Sequence, residues 1–170
     1  MSTMITLEKF DKQDFDRLIN WIDSEELMIQ FSGTIFNYPI TIEQLEKYLD
    51  DQIRMVYKVV LVETGETIGH CELDKIDMKN RSAGICRVLI GDSLHRNKGY
   101  GKMIIRELIR IAFTEMHLHR LHLGVFDFNH QAIRCYEECG FSKEGLLKDT
   151  TRIGDKYWSL YNMSIINNDD

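Results

Sequence analysis

The sequence has a single proline in 170 residues, and it contains no low-complexity stretch and no internal repeat. Proline-rich spacers, collagen-like chains and repeat arrays are therefore set aside. No apolar run approaches the length needed to cross a bilayer, and Met1 to Phe10 lacks the long apolar segment of a secretory signal, so a soluble, unexported, cytoplasmic protein without a membrane partner is expected. The four cysteines, Cys71, Cys86, Cys135 and Cys139, form no C-x-x-C. Cys71 and Cys86 fall in apolar strand patterns and read as small core residues. Cys135 and Cys139 share a helix face without further ligands nearby, and His117, His119 and His122 straddle a helix end and a strand start. No metal is expected, and the thiols fit a reducing compartment. An excess of positive charge is also missing. The formal net charge is −6, which argues against nucleic acid as the main partner. It is compatible with a cationic substrate, as it is with any ordinary acidic protein.

The hydrophobic fraction of 44% and the charged fraction of 28% are those of a globular chain long enough for one domain with a proper core. Its centre is Ala83 to Met116. Ile85, Cys86, Val88, Leu89 and Ile90 form an apolar strand broken only by Arg87. A loop, Gly91 to Gly101, follows. Ile104, Leu108, Ile111 and Ala112, widened by Ile105, Ile109 and Met116, then recur at helical spacing. The glycines sit where loop becomes helix. Helix N-terminal N–H groups lack intrahelical partners and carry the positive end of the helix dipole, glycine admits a ligand to the backbone, and Arg96, Lys98 and Lys102 add full charges. The junction suits a phosphate or pyrophosphate. The G-x-G-x-x-G fingerprint fails at Ile104, and the P-loop pattern fails at Arg96 and Met103. An ordinary strand-to-helix turn is the alternative.

Arg96-Asn97-Lys98-Gly99-Tyr100-Gly101 resembles the R/Q-x-x-G-x-G/A signature of the GNAT N-acetyltransferases. A second strand, Leu121 to Phe126, leads into Asn129 to Phe141, whose N-x-x-A-x-x-x-Y-x-x-x-G-F arrangement is similar to that superfamily's second block. The resemblance covers Ile68 to Ile166. It implies an α/β (α+β) fold: one GNAT-like domain over residues 1–166, with a central mixed, mostly antiparallel sheet of about seven strands flanked by helices. Residues 167–170 remain as a polar tail expected to fray. By resemblance the branch is that of ribosomal-protein and polyamine acetyltransferases, and a homodimer is a family habit that no sequence feature demands.

The rest of the chain fills in around this unit. Met4 to Leu7 reads as a first strand and Lys12 to Asp23 as a helix with Phe15, Leu18, Ile19 and Ile22 on one face. Glu25 to Phe31 reads as a helical turn. Thr41 to Asp51 reads as a helix with Thr41 as cap and Gln44 as its capping-box partner. Met55 to Val62 and Thr67 to Lys75 form a hairpin, and Leu146 to Thr151 and Lys156 to Ile165 another around Gly154-Asp155. In the family, the segment between the first strand and this capped helix lines the acceptor pocket. Here it offers Trp21, Phe31, Phe36 and Tyr38, which composition alone equally allows as core residues or loop braces.

The resemblance implies acetyl-coenzyme A as cosubstrate, held at its pyrophosphate by Arg96, Asn97, Lys98, Gly99, Tyr100 and Gly101, with Lys102 added. The pantetheine would pair with the backbone of Val88, Leu89 and Ile90, where a backbone N–H would also polarise the thioester carbonyl. Asn129 matches a coenzyme contact and equally suits a helix N-cap. Tyr136 matches the tyrosine that protonates the leaving thiolate; a phenol is protonated at neutral pH and able to donate. The alternative is a tyrosine packed on the sheet. Glu72 is the candidate general base, with Asp74 of the same side-chain parity; the alternative for each is an ordinary strand acid, with ordered water in the role. An acyl-cysteine route through Cys135 has no histidine to support it. An acetyl-coenzyme A-dependent N-acetyltransferase working by direct transfer in a ternary complex is expected. Its acceptor would be a peptide N-terminus, a polyamine, an aminoglycoside or a small amino compound. The competing expectation is a catalytically inactive coenzyme A-binding sensor module.

Overall fold

The computed structural model describes residues 4–169, so residues 1–3 of the expected domain and residue 170 of the expected tail lie outside the described residues. Its spine is one seven-stranded sheet: β1 (Ile5–Lys9), β2 (Met55–Leu61), β3 (Thr67–Asp77), β4 (Ser82–Ile90), β5 (Arg120–Phe126), β6 (Ser142–Ile153) and β7 (Lys156–Ile166), in the spatial order β1-β2-β3-β4-β5-β7-β6. Every neighbouring pair is antiparallel except β4 with β5. Among the described residues, five α-helices cover the faces: α1 (Phe15–Trp21), α2 (Glu25–Ser32), α3 (Ile42–Leu49), α4 (Tyr100–Arg110) and α5 (His130–Glu138).

Strand alternation sorts the side chains into two cores. On one face Cys71, Leu73, Ala83, Ile85, Leu121 and Leu123 pack with Ile104, Ile105 and Leu108 of α4 and Ile133 of α5. On the other, Phe10, Phe15, Leu18, Leu45, Tyr48 and Phe126 form a second cluster under α1 to α3. An isolated eleven-residue helix is marginal in water, whereas each large aliphatic side chain it buries contributes about 1.5–3 kcal/mol. The apolar stripe read from Ile104 to Ala112 is therefore what holds α4 to the sheet. Its last turn, Ile111–Glu115, widens to the π form, with the Met116 N–H donating to the Ile111 carbonyl at 3.0 Å.

Several elements differ from the pattern-based expectation. Lys12 to Asp23 is not one helix. Asp11 and Asp14 cap each other's backbone N–H groups across a 3-10 turn, Lys12–Asp14, before α1 begins. Thr41 caps α3 by accepting from the Gln44 N–H at 3.3 Å, but Gln44 does not reach back to complete a box. Its amide instead accepts from the Asn37 N–H and donates to the Asn37 and Pro39 carbonyls, fixing the preceding loop. The C-terminal tail is anchored at its start: Asn167 donates its N–H to the His119 carbonyl at 2.8 Å and its side-chain amide to the Leu118 carbonyl at 3.4 Å.

Candidate active site

β4 carries the two irregularities that open the sheet. The first is a split. β4 pairs with β5 only at Ser82–Arg120, Ala83–Leu121 and Gly84–His122, while β5 continues along β7 as far as Phe126–Leu160. Beyond Gly84, β4 thus has no neighbour strand on that side. The second is a bulge. His70 faces Leu89 and Glu72 faces Cys86, so the single residue Cys71 lies opposite both Arg87 and Val88. Arg87 absorbs the extra residue with φ +50°, an uncommon conformation for a side chain other than glycine.

The split leads into a cavity of about 600 Å³. Val88, Leu89 and Ile90 form one wall, the start of α4 and its loop a second, and α5 a third; Leu27, Gln30 and Phe31 of α2 close it from the other core. Of the residues expected to hold a coenzyme, Arg96, Asn97, Gly99, Tyr100, Gly101, Lys102 and Asn129 line the cavity with the three strand residues. Lys98 is exposed and lies outside the lining.

Each part of the loop has a local cause. The Asp92 carboxylate accepts from the Leu94 N–H at 2.8 Å and starts a 3-10 turn over Ser93–His95. Arg96 folds back, its Nε and Nη2 donating to the carbonyls of Ile90 and Gly91 at 3.3 and 3.2 Å. Asn97 accepts from Gln131 Nε2 at 2.8 Å and ties the loop to α5. Gly99 precedes α4 with φ +82° and no side chain caps the helix, which leaves its first N–H groups for another acceptor. Apart from its chain neighbours and the adjoining backbone of its own helix, a Cβ at Gly101 would meet no atom of the described residues within 4 Å. The glycine is thus not required by packing there; the space over the helix N-terminus is open to a ligand. These features fit a pyrophosphate-bearing coenzyme. Lys102 is ion-paired with Glu138, which also faces Arg134 at 3.4 Å.

On α5, Asn129 does cap the helix, accepting from the Ala132 N–H at 3.3 Å, while also lining the cavity. Tyr136 reaches the same cavity, and burial pushes its phenol up, with the neighbouring thiols of Cys135, Cys86 and Cys139 adding to the shift. It keeps its proton at neutral pH. Cys135 lies on the cavity wall, where its neighbour Cys139 and burial push its thiol up, while the Cys139 Sγ points at the Lys102 carbonyl at 3.9 Å.

Glu72 lies elsewhere. It is wholly buried on β3, behind the cavity wall, and accepts from Tyr48 Oη, from Arg87 Nη1 and, at 3.3 Å, from Arg54 Nη1. Arg87 Nη1 also reaches Asp74 Oδ2 at 3.4 Å. Burial pushes the Glu72 carboxyl up to about 7 against the pull of Arg87, Tyr48 and Arg54. Glu72, Asp74 and Cys86 place three ligand-type atoms within 4.8 Å of one another, but two guanidiniums already balance the two carboxylates. Of the aromatics expected near an acceptor, Phe31 lines the cavity, whereas Phe36 packs on Tyr48 and Tyr38 donates to the Asp23 carbonyl. Trp21 covers Gly91, where a Cβ would lie 1.9 Å from its ring. Pattern reading passed over Gln131, His70 and the role of Arg87. A charged residue inside an apolar strand, opposite two acids of one parity, was the available signal.

The model of the acetyltransferase (GNAT) domain family matches residues 4–142. The chain belongs to the GNAT acetyltransferase family. Over 167 residues it is 28% identical to the spermidine N(1)-acetyltransferase of Vibrio cholerae, covering 98% of this chain and 95% of that one. Among solved structures, the spermidine N-acetyltransferase of Vibrio cholerae in complex with CoA and spermine superposes with a TM-score of 0.83 at 26% identity, covering 97% of this chain and 96% of that one. A dodecameric structure of the spermidine N-acetyltransferase from the same organism gives a TM-score of 0.78 at 26% identity, with 97% and 95% covered. Family membership brings the class of chemistry, acetyl transfer.

Proposed function

We propose that this GNAT protein moves an acetyl group from acetyl-coenzyme A directly to a primary amine, and that its acceptor is a polyamine such as spermidine. The observation that carries the proposal is the uncapped N-terminus of α4, opening at Gly99 and Gly101 into a cavity shared with Tyr136 and the unpaired edge of β4. Acetyl-coenzyme A supplies an activated acyl group on a thiol leaving group. The α4 N–H groups and the loop Arg96–Gly101, with Lys102 and Asn129, hold its pyrophosphate. The backbone of Val88–Ile90 aligns the pantetheine and directs an N–H at the thioester carbonyl, where negative charge develops as the amine attacks. Tyr136 protonates the departing sulfur. Glu72 is spent on three donors and does not line the cavity, so the amine loses its proton to water there.

The polyamine assignment is supported by similarity along the whole length of spermidine enzymes and by the net charge of −6, which attracts a polycation. The four cysteines are all unpaired, in keeping with a reducing cytoplasm, and no helix among the described residues is long and apolar enough to cross a membrane. Assembly of two or more copies is part of the proposal. β6 is an edge strand exposing Leu146 and Leu147, and light scattering at micromolar concentration checks it.

The deciding experiment follows thiol release from acetyl-coenzyme A with spermidine, an aminoglycoside, a short peptide and free amino acids. Turnover is expected with spermidine foremost. Preference for another amine changes the acceptor and leaves the chemistry standing. Coenzyme binding without turnover on any amine would mark the inactive sensor module instead.

A further inference from the structure

His70 sits at the centre of the molecule with no part in the chemistry described above. It is 1% exposed, with its ring 4.9 Å from that of Phe10, 5.3 Å from Phe31 and 6.3 Å from Tyr48. Its Nδ1 lies 3.0 Å from the carbonyl oxygen of Arg87, and its Nε2 has no partner among the described residues. A carbonyl can only accept, so Nδ1 carries the proton and Nε2 a bare lone pair. Leaving a buried acceptor unsatisfied is unfavourable, and leucine would fill the same aromatic surround without that penalty. The histidine contributes one thing an apolar residue does not, a donor aimed at Arg87.

Arg87 is the bulge residue. Its carbonyl is turned out of the β3–β4 ladder toward His70, and its guanidinium is gripped by Glu72 and Asp74 on the same face of β3. The next residues, Val88 to Ile90, form the cavity wall. Resting on the acetyl-transfer reading above, we propose that His70 is a positioning residue for catalysis. With the carboxylates of Glu72 and Asp74 it clamps Arg87 at both ends, so that the backbone of Val88–Ile90 is held where it can polarise the thioester carbonyl. His70 touches neither substrate; it acts through the strand.

Asparagine and leucine nearly match in shape, and asparagine carries an amide N–H close to where Nδ1–H stands. With carbonyl-labelled acetyl-coenzyme A, His70→Leu is expected to lower kcat about 10²-fold while the KM for acetyl-coenzyme A stays within about twofold, since the pyrophosphate loop is untouched. The isotope-edited infrared band of the bound thioester carbonyl is expected to move to higher wavenumber in that variant, and His70→Asn to restore most of both. Wild-type kcat and band position in His70→Leu would overturn the proposal, as would parallel loss of kcat and coenzyme affinity with no rescue by asparagine. Should the leucine variant not fold, nitrogen NMR of His70 in the wild-type protein decides: Nδ1 stays protonated from about pH 5 to about pH 9 if the clamp exists, and an unprotonated Nδ1 there removes it. If the wild-type protein acetylates no amine, the acetyl-transfer reading fails. The infrared and NMR comparisons still test the clamp separately.

Discussion

At Gly101 stability and binding pull in opposite directions. Its backbone is ordinary, and a Cβ there meets nothing within 4 Å. Gly101→Ala should raise the melting temperature, since glycine costs a helix roughly 0.5–1 kcal/mol. Gly101→Leu should leave the fold intact and lower acetyl-coenzyme A affinity at least about tenfold by calorimetry, because the side chain grows into the space over the α4 N–H groups. Gly99 is the poorer probe, since its φ of +82° would strain any replacement. Tyr136→Phe keeps the ring packed near Phe141 and removes only the proton donor. A fall in kcat of about 10²-fold is expected, with unchanged coenzyme affinity by calorimetry.

His70 also links folding to pH. Burial lowers its pKa to about 4, so its imidazole is neutral in the folded protein. Its contribution is complete above the unfolded value near 6.5 and is lost as pH falls toward about 4, a total of about 3 kcal/mol. Glu72 runs the other way: its carboxyl, raised to about 7, gains a proton in the folded state before the unfolded one. The two partly cancel in the wild-type protein. Urea denaturation of wild type and His70→Asn in parallel should therefore show their stability difference shifting against wild type between about pH 6.5 and pH 4.

Among the elements, α5 shows how one residue serves two ends. Asn129 caps the helix that carries Tyr136 and also lines the cavity. Asn129→Ala should cost about 1 kcal/mol of stability in urea denaturation, and kcat should fall with it as the first turn frays. This helix was legible through its resemblance to a family block, whereas α4 was legible from its spacing and the β6–β7 hairpin from its turn at Gly154-Asp155, because period and turn chemistry are local. Gln44 was half legible. The cap it receives from Thr41 is local, but its amide is drawn to the Asn37–Pro39 loop by contacts that no pattern records. The β4 bulge was illegible for the same reason. Arg87 stood out as a break in an apolar run, yet its left-handed backbone is maintained by His70, Glu72 and Asp74 from the neighbouring strand. The loop residues Arg96 to Gly101 could be assigned a ligand class because their chemistry is in their order. The wall behind them could not, because it is assembled across the sheet.

At the scale of the whole molecule, the sheet is two plates. β1 to β4 make one and β5, β7 and β6 the other, and their backbones are stitched at only three residue pairs, Ser82 to Gly84 against Arg120 to His122. The coenzyme cavity is the notch at the end of that seam. A molecule pulled with handles on the two outer strands should tear here first, well before either plate shears. A coenzyme lodged in the notch, bonded to β4 on one side and α5 on the other, would act as a rivet. Its presence should raise the rupture force measured in optical tweezers, and a rupture force indifferent to acetyl-coenzyme A would place the weak line elsewhere. On this view the enzyme's fracture line and its binding site are one feature, and each catalytic cycle fastens and unfastens the two halves of the protein.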